Sequence, residues 1–278
     1  MNCEAISAAD FGLADTAAVL TQAFSDYLVK IPFTAVGLTR SAVSDGVDLA
    51  ESRIILLDGA PAGGLLIARR GWSSRLAGMA LVPSARRRGV GRWAMERVMA
   101  EARARGERFM VLEVIEQNVP AVRLYEACGF GKVRRLVGFE REAGPPPAGG
   151  PALTEVDPRF VASLVSAGDI PNLPWQLSGE TIAHLPPPHR AFGLDGAWAV
   201  ISDPGAGEVV IRAIAVSPGS IGSPRARLTG LLGALNAAYP GKRWRLKALW
   251  PEELGDIFTA AGFARTELTQ WQMQRALP

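Results

Sequence analysis

The sequence predicts a mixed α/β protein in two successive domains, and three observations carry that reading. Apolar runs of strand length are interleaved with a segment of helical period, a Pro/Gly stretch divides the 278 residues near their middle, and landmarks of the first half recur in order in the second. The stretch Ala143 to Pro151 reads A-G-P-P-P-A-G-G-P, which continues neither a helix nor a central strand. The predicted division is therefore a first domain over 1–142, a linker over 143–151 and a second domain over 152–278.

The landmarks keep their order with little drift. Asp58-Gly59 is matched by Asp195-Gly196 at an offset of 137, Leu81-Val82-Pro83 by Ala215-Val216 through Pro218 at 135, and Gly129-Phe130 by Gly262-Phe263 at 133. A duplicated domain accounts for three matches that shift by four residues in all.

In the first copy, Asp15 to Tyr27 reads as a helix, because Ala18, Phe24 and their neighbours form an apolar stripe behind an acidic start. Arg53 to Leu57 and Gly63 to Ala68 are short apolar runs joined by Asp58-Gly59-Ala60-Pro61, which makes them a hairpin, and Leu76 to Val82 is a third strand. From Gly91 to Arg105 the period changes: Ala94, Met95, Val98, Met99 and Ala102 fall three and four apart among Arg92, Glu96, Arg97, Glu101 and Arg103, a surface helix that Gly106 ends. Phe109 to Ile115 is a strand, Ala121 to Ala127 a helix closed by Gly129, and Lys132 to Phe139 a last strand.

Composition narrows the function. With 48% apolar and 21% charged residues the chain is globular, and 30 Lys+Arg against 27 Asp+Glu leaves a formal charge of only +3, which disfavours a dedicated nucleic-acid partner. Two cysteines, Cys3 and Cys128, and two histidines supply neither a disulfide framework nor a structural zinc site, so no metal is expected and the compartment is read as reducing. Met1 to Asp10 lacks a basic region and an apolar core, and no run approaches 18 apolar residues; the expectation is a cytoplasmic protein without a membrane partner.

The chemistry concentrates in Arg86-Arg87-Arg88-Gly89-Val90-Gly91-Arg92, between the end of a strand and the start of a helix. The N–H groups of a helix start lack intrahelical partners and carry the positive end of the dipole, so such a turn suits an anion such as a pyrophosphate. Gly89 and Gly91 allow close approach, and the arginines supply charge; the plainer alternative is a solvated basic face on a capped turn. Gly89 to Ala94 also imitates the G-x-G-x-x-A spacing of dinucleotide-binding proteins, but there the glycines follow the strand at once, whereas Pro83 to Arg88 intervene here.

Arg86-x-x-Gly89-x-Gly91, followed by Leu112-Glu113-Val114, Asn118, Ala121, Leu124-Tyr125-Glu126 and Gly129-Phe130, resembles the GNAT superfamily of acetyl-CoA-dependent N-acetyltransferases, and the likeness spans about Ile54 to Phe139. The resemblance implies two GNAT-like domains in tandem, each a central mixed sheet flanked by helices. It also implies that acetyl-CoA enters a V-shaped opening between the strand ending at Val82 and the strand Phe109 to Ile115. The backbone of Arg87, Arg88, Gly89, Val90, Gly91 and Arg92 would cradle the pyrophosphate, Leu81 and Val82 would pair with the pantetheine arm, and Asn118 would hold the splayed region.

The implied reaction is direct transfer of an acetyl group to a primary amine on a small molecule or a peptide. An alkyl amine with a pKa of about 10 needs a base, and Glu113, inside the apolar run Val111 to Ile115, is the first choice, with a buried ion pair to an arginine as its alternative. Tyr125 matches the family's proton donor to the leaving thiolate, with a core tyrosine as its alternative. In the second copy, at offsets of 135 and 133, Arg86, Gly89 and Gly91 fall on Ile221, Pro224 and Ala226, Asn118 on Pro251 and Tyr125 on Phe258, so that copy is expected to be degenerate.

Five of the seven tryptophans, at positions 175, 198, 244, 250 and 271, lie in the second copy and are read as core, and His184 and His189 as loop residues. Two other readings compete with the enzyme: a non-catalytic acyl-CoA-binding or interaction module, and a nicotinamide-dependent enzyme. The assembly expected is a monomer whose two copies mimic a dimer, or a homodimer.

Overall fold

Asp58 and Gly59 both adopt positive φ, 52° and 83°, and Asp195 and Gly196 repeat this at 50° and 74°. Two successive left-handed residues give the two-residue turn whose twist suits antiparallel strands, which is why Asp-Gly heads a strand in each half. The flanking pairs are Leu57 with Ala60 and Leu194 with Ala197. The third landmark repeats as well: Gly129 and Gly262 close their helices at φ of 81° and 84°.

The computed structural model describes residues 2–29, 32–144, 150–168 and 170–278. They fall into two compact units, Met1–Val133 with Trp271–Pro278, and Arg134–Gln270. The first unit runs β1 (Cys3–Ser7), α1 (Ala8–Phe11), α2 (Leu13–Ala23), α3 (Ala35–Asp45), β2 (Val47–Leu57), β3 (Ala60–Arg70), β4 (Ser73–Leu81), α4 (Val90–Ala104), β5 (Phe109–Ile115), α5 (Val119–Ala127) and the start of β6 (Gly131–Arg141). Its strands lie in the order β1-β2-β3-β4-β5, with only β4 and β5 parallel. α4 buries Val90, Ala94, Met95, Val98, Met99 and Ala102 against Leu65, Leu76, Met110 and Leu112. Each fully buried large side chain of that set contributes about 1.5–3 kcal/mol.

The second unit repeats the plan: β7 (Thr154–Val156), α6 (Pro158–Ser166), α7 (Gly179–Ala183), β8 (Arg190–Leu194), β9 (Ala197–Ile201), β10 (Glu208–Val216), α8 (Pro224–Ala238), β11 (Arg243–Pro251), α9 (Gly255–Ala260) and most of β12 (Ala264–Ala276). Its strand order is β6-β11-β10-β9-β8-β7, with β10 and β11 parallel. Trp175, Trp244 and Trp250 are buried in it, Trp244 and Trp250 packing with Leu231, Phe258 and Phe263. His184 and His189 sit on loops with Nδ1 against the carbonyls of Glu180 and Pro186.

The division differs from a cut at the Pro/Gly stretch. That stretch, of which residues 145–149 lie outside the described residues, falls within the second unit, because β6 pairs with β11 from Leu136 to Arg141. The place beside β5 in the first unit is taken by the end of β12, whose Met273 is fully buried in that unit's core, followed by Leu277. Each unit therefore takes its last strand from the other half of the sequence.

Two elements carry little sequence signal. β1 is a short edge strand, and α3 buries only Leu38, although Thr34 caps its start by accepting from Gly37 N at 3.0 Å and Gly46 ends it at φ 70°. Among the described residues no helix is long and apolar enough to cross a membrane.

Candidate active site

The parallel pairing of β4 and β5 runs from Ser73 opposite Phe109 to Leu76 opposite Leu112 and stops there. At that point Ala77 is an extra residue against β3, since Leu66 faces Gly78 and Ile67 faces Leu76. Such a bulge bends its strand. Gly78 to Leu81 are left with β3 on one side and no paired strand on the other, which is the opening expected between these two strands.

β4 leads through a 3₁₀ turn, Pro83–Ala85, into the arginine-rich loop and α4. Arg87 and Gly89 take positive φ, 57° and 84°. Gly89 is the N-cap of α4 and offers no side chain to it, no acidic residue occupies the first turn, and the first intrahelical bond is Trp93 N to Gly89 O at 3.0 Å. The N–H groups of Val90, Gly91 and Arg92 thus precede the helical ladder and face outward from its positive end. The two glycines serve different ends. A Cβ on Gly89 would meet nothing within 4 Å, so its φ is what demands glycine, whereas a Cβ on Gly91 would press on Leu124 Cδ2 at 3.2 Å and Met79 Cε at 3.4 Å.

The arginines divide by task. Arg88 approaches Asp58 at 4.0 Å, and Arg92 pairs with Glu96 one helical turn on at 2.9 Å, both on the surface. Arg86 turns away from the loop. Its Nη1 and Nη2 donate to the two carboxylate oxygens of Asp26 at 2.6 and 2.7 Å, Nη2 also to Ala23 O at 3.2 Å, and Nε to Leu81 O at 2.7 Å. A forked pair of this kind fixes geometry as well as charge. Val82 is also committed, its N–H donating to Ala62 O at 2.9 Å on the β3 side. Leu81 has the alternate orientation, and Arg86 occupies its carbonyl.

α5 supplies the second wall. Asn118 is its N-cap, Oδ1 accepting from Ala121 N at 3.4 Å, and its side chain lies beside the Tyr27 hydroxyl. Tyr125 is 7% exposed, with its ring 6.1 Å from that of Phe130. Burial pushes the Tyr125 phenol well above its ordinary range, and the nearby Tyr27 and Cys128 act in the same direction. Tyr27, half-buried, is likewise raised by burial, against which the Asn118 side chain works.

Glu113 is the first residue of β5 past the last pair with β4, at the root of the opening. Its Oε2 accepts from Arg75 Nε at 2.7 Å, and the two side chains are 2% and 7% exposed. The buried ion pair that competed with the base role is thus formed. Tyr27 ends the helix read over Asp15 to Tyr27, but α2 stops at Ala23, so the tyrosine lies on the segment that follows and faces α5 from there.

The second unit keeps the opening and loses the groups. β10 and β11 pair from Glu208–Arg243 to Val210–Arg245, and Arg212 is an extra residue against β9 where Ala77 is extra against β3. Its connecting loop, 217–223, is one residue shorter than 82–89, which changes the register inferred from sequence: α8 and α4 align start to start, so Gly89 matches Ser223 and Gly91 matches Arg225. Pro224 opens α8 and removes one N–H from its first turn. Phe258 is fully buried against Phe139, Trp250 and Phe263, and Pro251 has no side chain able to cap the turn that follows.

Residues 38–130 match the acetyltransferase (GNAT) family model. Among solved structures, the chain is similar to a tandem GNAT protein from the clavulanic acid biosynthesis pathway, with 16% identity, 100% of this chain and 99% of that one covered and a TM-score of 0.66. It is similar to a GCN5-related N-acetyltransferase from Sphaerobacter thermophilus, with 17% identity, 99% and 95% covered and a TM-score of 0.69. It also resembles one from Kribbella flavida, with 16% identity, 99% and 71% covered and a TM-score of 0.64. No curated protein matches the chain by sequence.

Proposed function

We propose, starting from a chain whose residues 38–130 match the acetyltransferase (GNAT) family model and whose fold is similar to that of a tandem GNAT protein, that its first unit transfers an acetyl group from acetyl-CoA to a primary amine, and that its second unit is a non-catalytic copy. The observation that carries this is the start of α4 at Gly89, with all three of its first N–H groups present beside the unpaired end of β4, against the start of α8, which has no side-chain cap either but where Pro224 removes an N–H and neither glycine is kept. An anionic pyrophosphate meets three unpartnered N–H groups at the positive end of a helix, with Arg87 and Arg88 alongside.

In this reading the pyrophosphate rests on Val90, Gly91 and Arg92, and the pantetheine arm extends along the free side of Gly78 to Leu81. The neutral amine attacks the thioester carbonyl, the tetrahedral adduct collapses with cleavage of the C–S bond while its nitrogen gives up one proton to water, and the departing thiolate is met by the Tyr125 hydroxyl, whose proton, where it passes to sulfur, is replaced from water. A phenol raised above its ordinary value near 10 keeps its proton at every physiological pH, so it is always present as a donor. Its strength as a hydrogen-bond donor to the developing thiolate matters more than complete transfer. Glu113 holds the root of the opening with Arg75, and the amine reaches the site after losing its proton to water.

The test contrasts two substitutions at one position. Gly89→Asp places a carboxylate at the N-cap of α4 and Gly89→Asn a neutral side chain of equal size; both residue types tolerate positive φ better than others. Calorimetric titration with acetyl-CoA should show binding in wild type, a weakening of a hundredfold or more in Gly89→Asp and a far smaller one in Gly89→Asn. Equal effects, or a wild type that binds NAD and not acetyl-CoA, would overturn the proposal. Binding of acetyl-CoA without turnover of any amine would make the chain an acyl-CoA-binding module.

A further inference from the structure

The residues after α2 form an aromatic cluster that no helix or strand periodicity requires. The Phe24 ring meets Tyr27 edge-on at 5.1 Å and Phe33 at 5.1 Å, and Phe33 is tied back to Thr21, whose hydroxyl accepts from Phe33 N at 3.2 Å. The cluster lies against the open end of β4, where a Cβ on Gly78 would stand 3.9 Å from Phe24 Cζ. Leu28 and Val29, which follow Tyr27, are exposed. This is an apolar wall beside the place where the acetyl group would arrive.

Two side chains from the donor side meet this wall. Arg86, from the loop that leads into α4, grips Asp26 with both terminal nitrogens and Ala23 O, while its Nε holds the end of β4 at Leu81 O. Asn118, at the start of α5, lies beside Tyr27 while its Oδ1 caps its own helix. One guanidinium thus joins the phosphate loop, the open strand and the chain segment Ala23–Asp26, and the next residue, Tyr27, stands beside α5 at Asn118.

We propose that the Arg86–Asp26 pair forms a latch between the donor loop and the segment 23–29, so that filling the phosphate loop fixes the acceptor-side wall, with Arg86 as a positioning residue rather than a ligand of the nucleotide. The coupling rests on the reading of the α4 start as an acyl-CoA site, but the latch also acts in the free protein. Because coupling between two places is reciprocal, loosening the segment must loosen the loop, and by the same factor as the loop's occupant tightens the segment.

Hydrogen–deuterium exchange followed by mass spectrometry tests both directions. In the free full-length chain, Asp26→Asn should speed exchange at least threefold in peptides covering 87–92, more than 60 residues away in sequence, while peptides covering 98–104 of α4 stay unchanged. Asp26→Glu, which keeps the charge, should restore the wild-type rate. With coenzyme A added, wild type should gain protection in 23–29, and Asp26→Asn should lose that gain while its affinity for coenzyme A falls by a matching factor. Unchanged exchange over 87–92 in free Asp26→Asn would overturn the latch. Altered exchange there with no coenzyme A binding by wild type would keep the latch and overturn the reading of the site.

Discussion

Arg75 Nε donates to Glu113 Oε2 at 2.7 Å, from the last paired stretch of β4 to the first unpaired residue of β5. The contact sits where the two strands part, and both side chains are buried. A bulge alone would bend β4 away, but a buried charge on each strand fixes how far the root of the opening can spread. Taking two charges out of water is costly, and the cost is offset only while both are present. Glu113 is therefore bound to the shape of the site more firmly than to the movement of a proton.

The first prediction follows from that asymmetry. Glu113→Gln leaves the Arg75 guanidinium buried without its countercharge, and breaking such a pair costs about 3–5 kcal/mol. Urea denaturation should register that loss, while turnover per folded molecule stays within about tenfold and the acid limb of the pH–rate profile keeps its position. An acid limb abolished in Glu113→Gln would instead make Glu113 the base.

Tyr125→Phe should behave in the opposite way. The ring fills the same volume, so stability changes little, and CoA affinity stays close to wild type, because the phosphate-binding N–H groups lie on α4 rather than α5. Turnover should fall by about 10²–10³, the usual scale for a lost proton donor. The raised phenol adds a pH signature: wild type should show no alkaline loss from tyrosine ionisation below pH of about 10, where an ordinary tyrosine would begin to titrate. Steady-state kinetics across pH, with calorimetry on the variant, reads both.

What was legible in the sequence was local. The Asp-Gly turns, the buried face of α4 and the glycines closing α5 and α9 each depend on residues within a turn or a helix, and the expected turn, helix and cap residues adopt those conformations. Arg86 was also singled out, yet its partner was not, since Asp26 is 60 residues from Arg86 and no period or spacing encodes that pairing. The exchange of last strands is the extreme case. Lys132 to Phe139 reads as the last strand of the first half, and the C-terminal segment carries no strand reading of its own; only the pairing partners, set by nonlocal packing of Met273 and of Leu136 to Arg141, place β6 and β12 where they are.

That exchange gives a third prediction. A fragment of residues 1–142 contains every candidate catalytic residue but lacks the strand beside β5, with buried Met273 and Leu277 and the bond from Leu277 N to Arg108 O at 2.8 Å. Two large apolar side chains at about 1.5–3 kcal/mol each, plus an unpaired strand edge, approach the whole stability of a small domain, about 5–15 kcal/mol. The fragment should show no cooperative thermal transition by calorimetry. Residues 1–133 carrying 271–278 on a flexible linker should recover one, and recovery in the plain 1–142 fragment would show that the last strand is dispensable.

The last prediction concerns acid. Glu107 is buried just past α4, its Oε1 accepting from Arg69 Nε at 2.6 Å and Arg105 Nε at 2.9 Å, and its Oε2 from Arg105 Nη2 at 3.2 Å. Burial pushes its carboxyl up, but the hydrogen bonds and charges of Arg105 and Arg69 outweigh it, and the carboxyl ends below its ordinary value. A carboxyl depressed in the folded state binds its proton more readily once unfolded, so acid favours unfolding. Its contribution is complete above the unfolded value of about 4.3 and disappears as pH falls through the lower, folded value. Glu107→Gln removes one countercharge from each arginine at every pH, leaving Arg105 with Glu51 and Arg69 with Asp48. Denaturant midpoints at pH 7 should therefore drop, by the equivalent of about 1–2 kcal/mol, and the variant should lose less stability than wild type between pH 5 and pH 3. Parallel acid profiles for the two proteins would assign the acid sensitivity to other carboxylates.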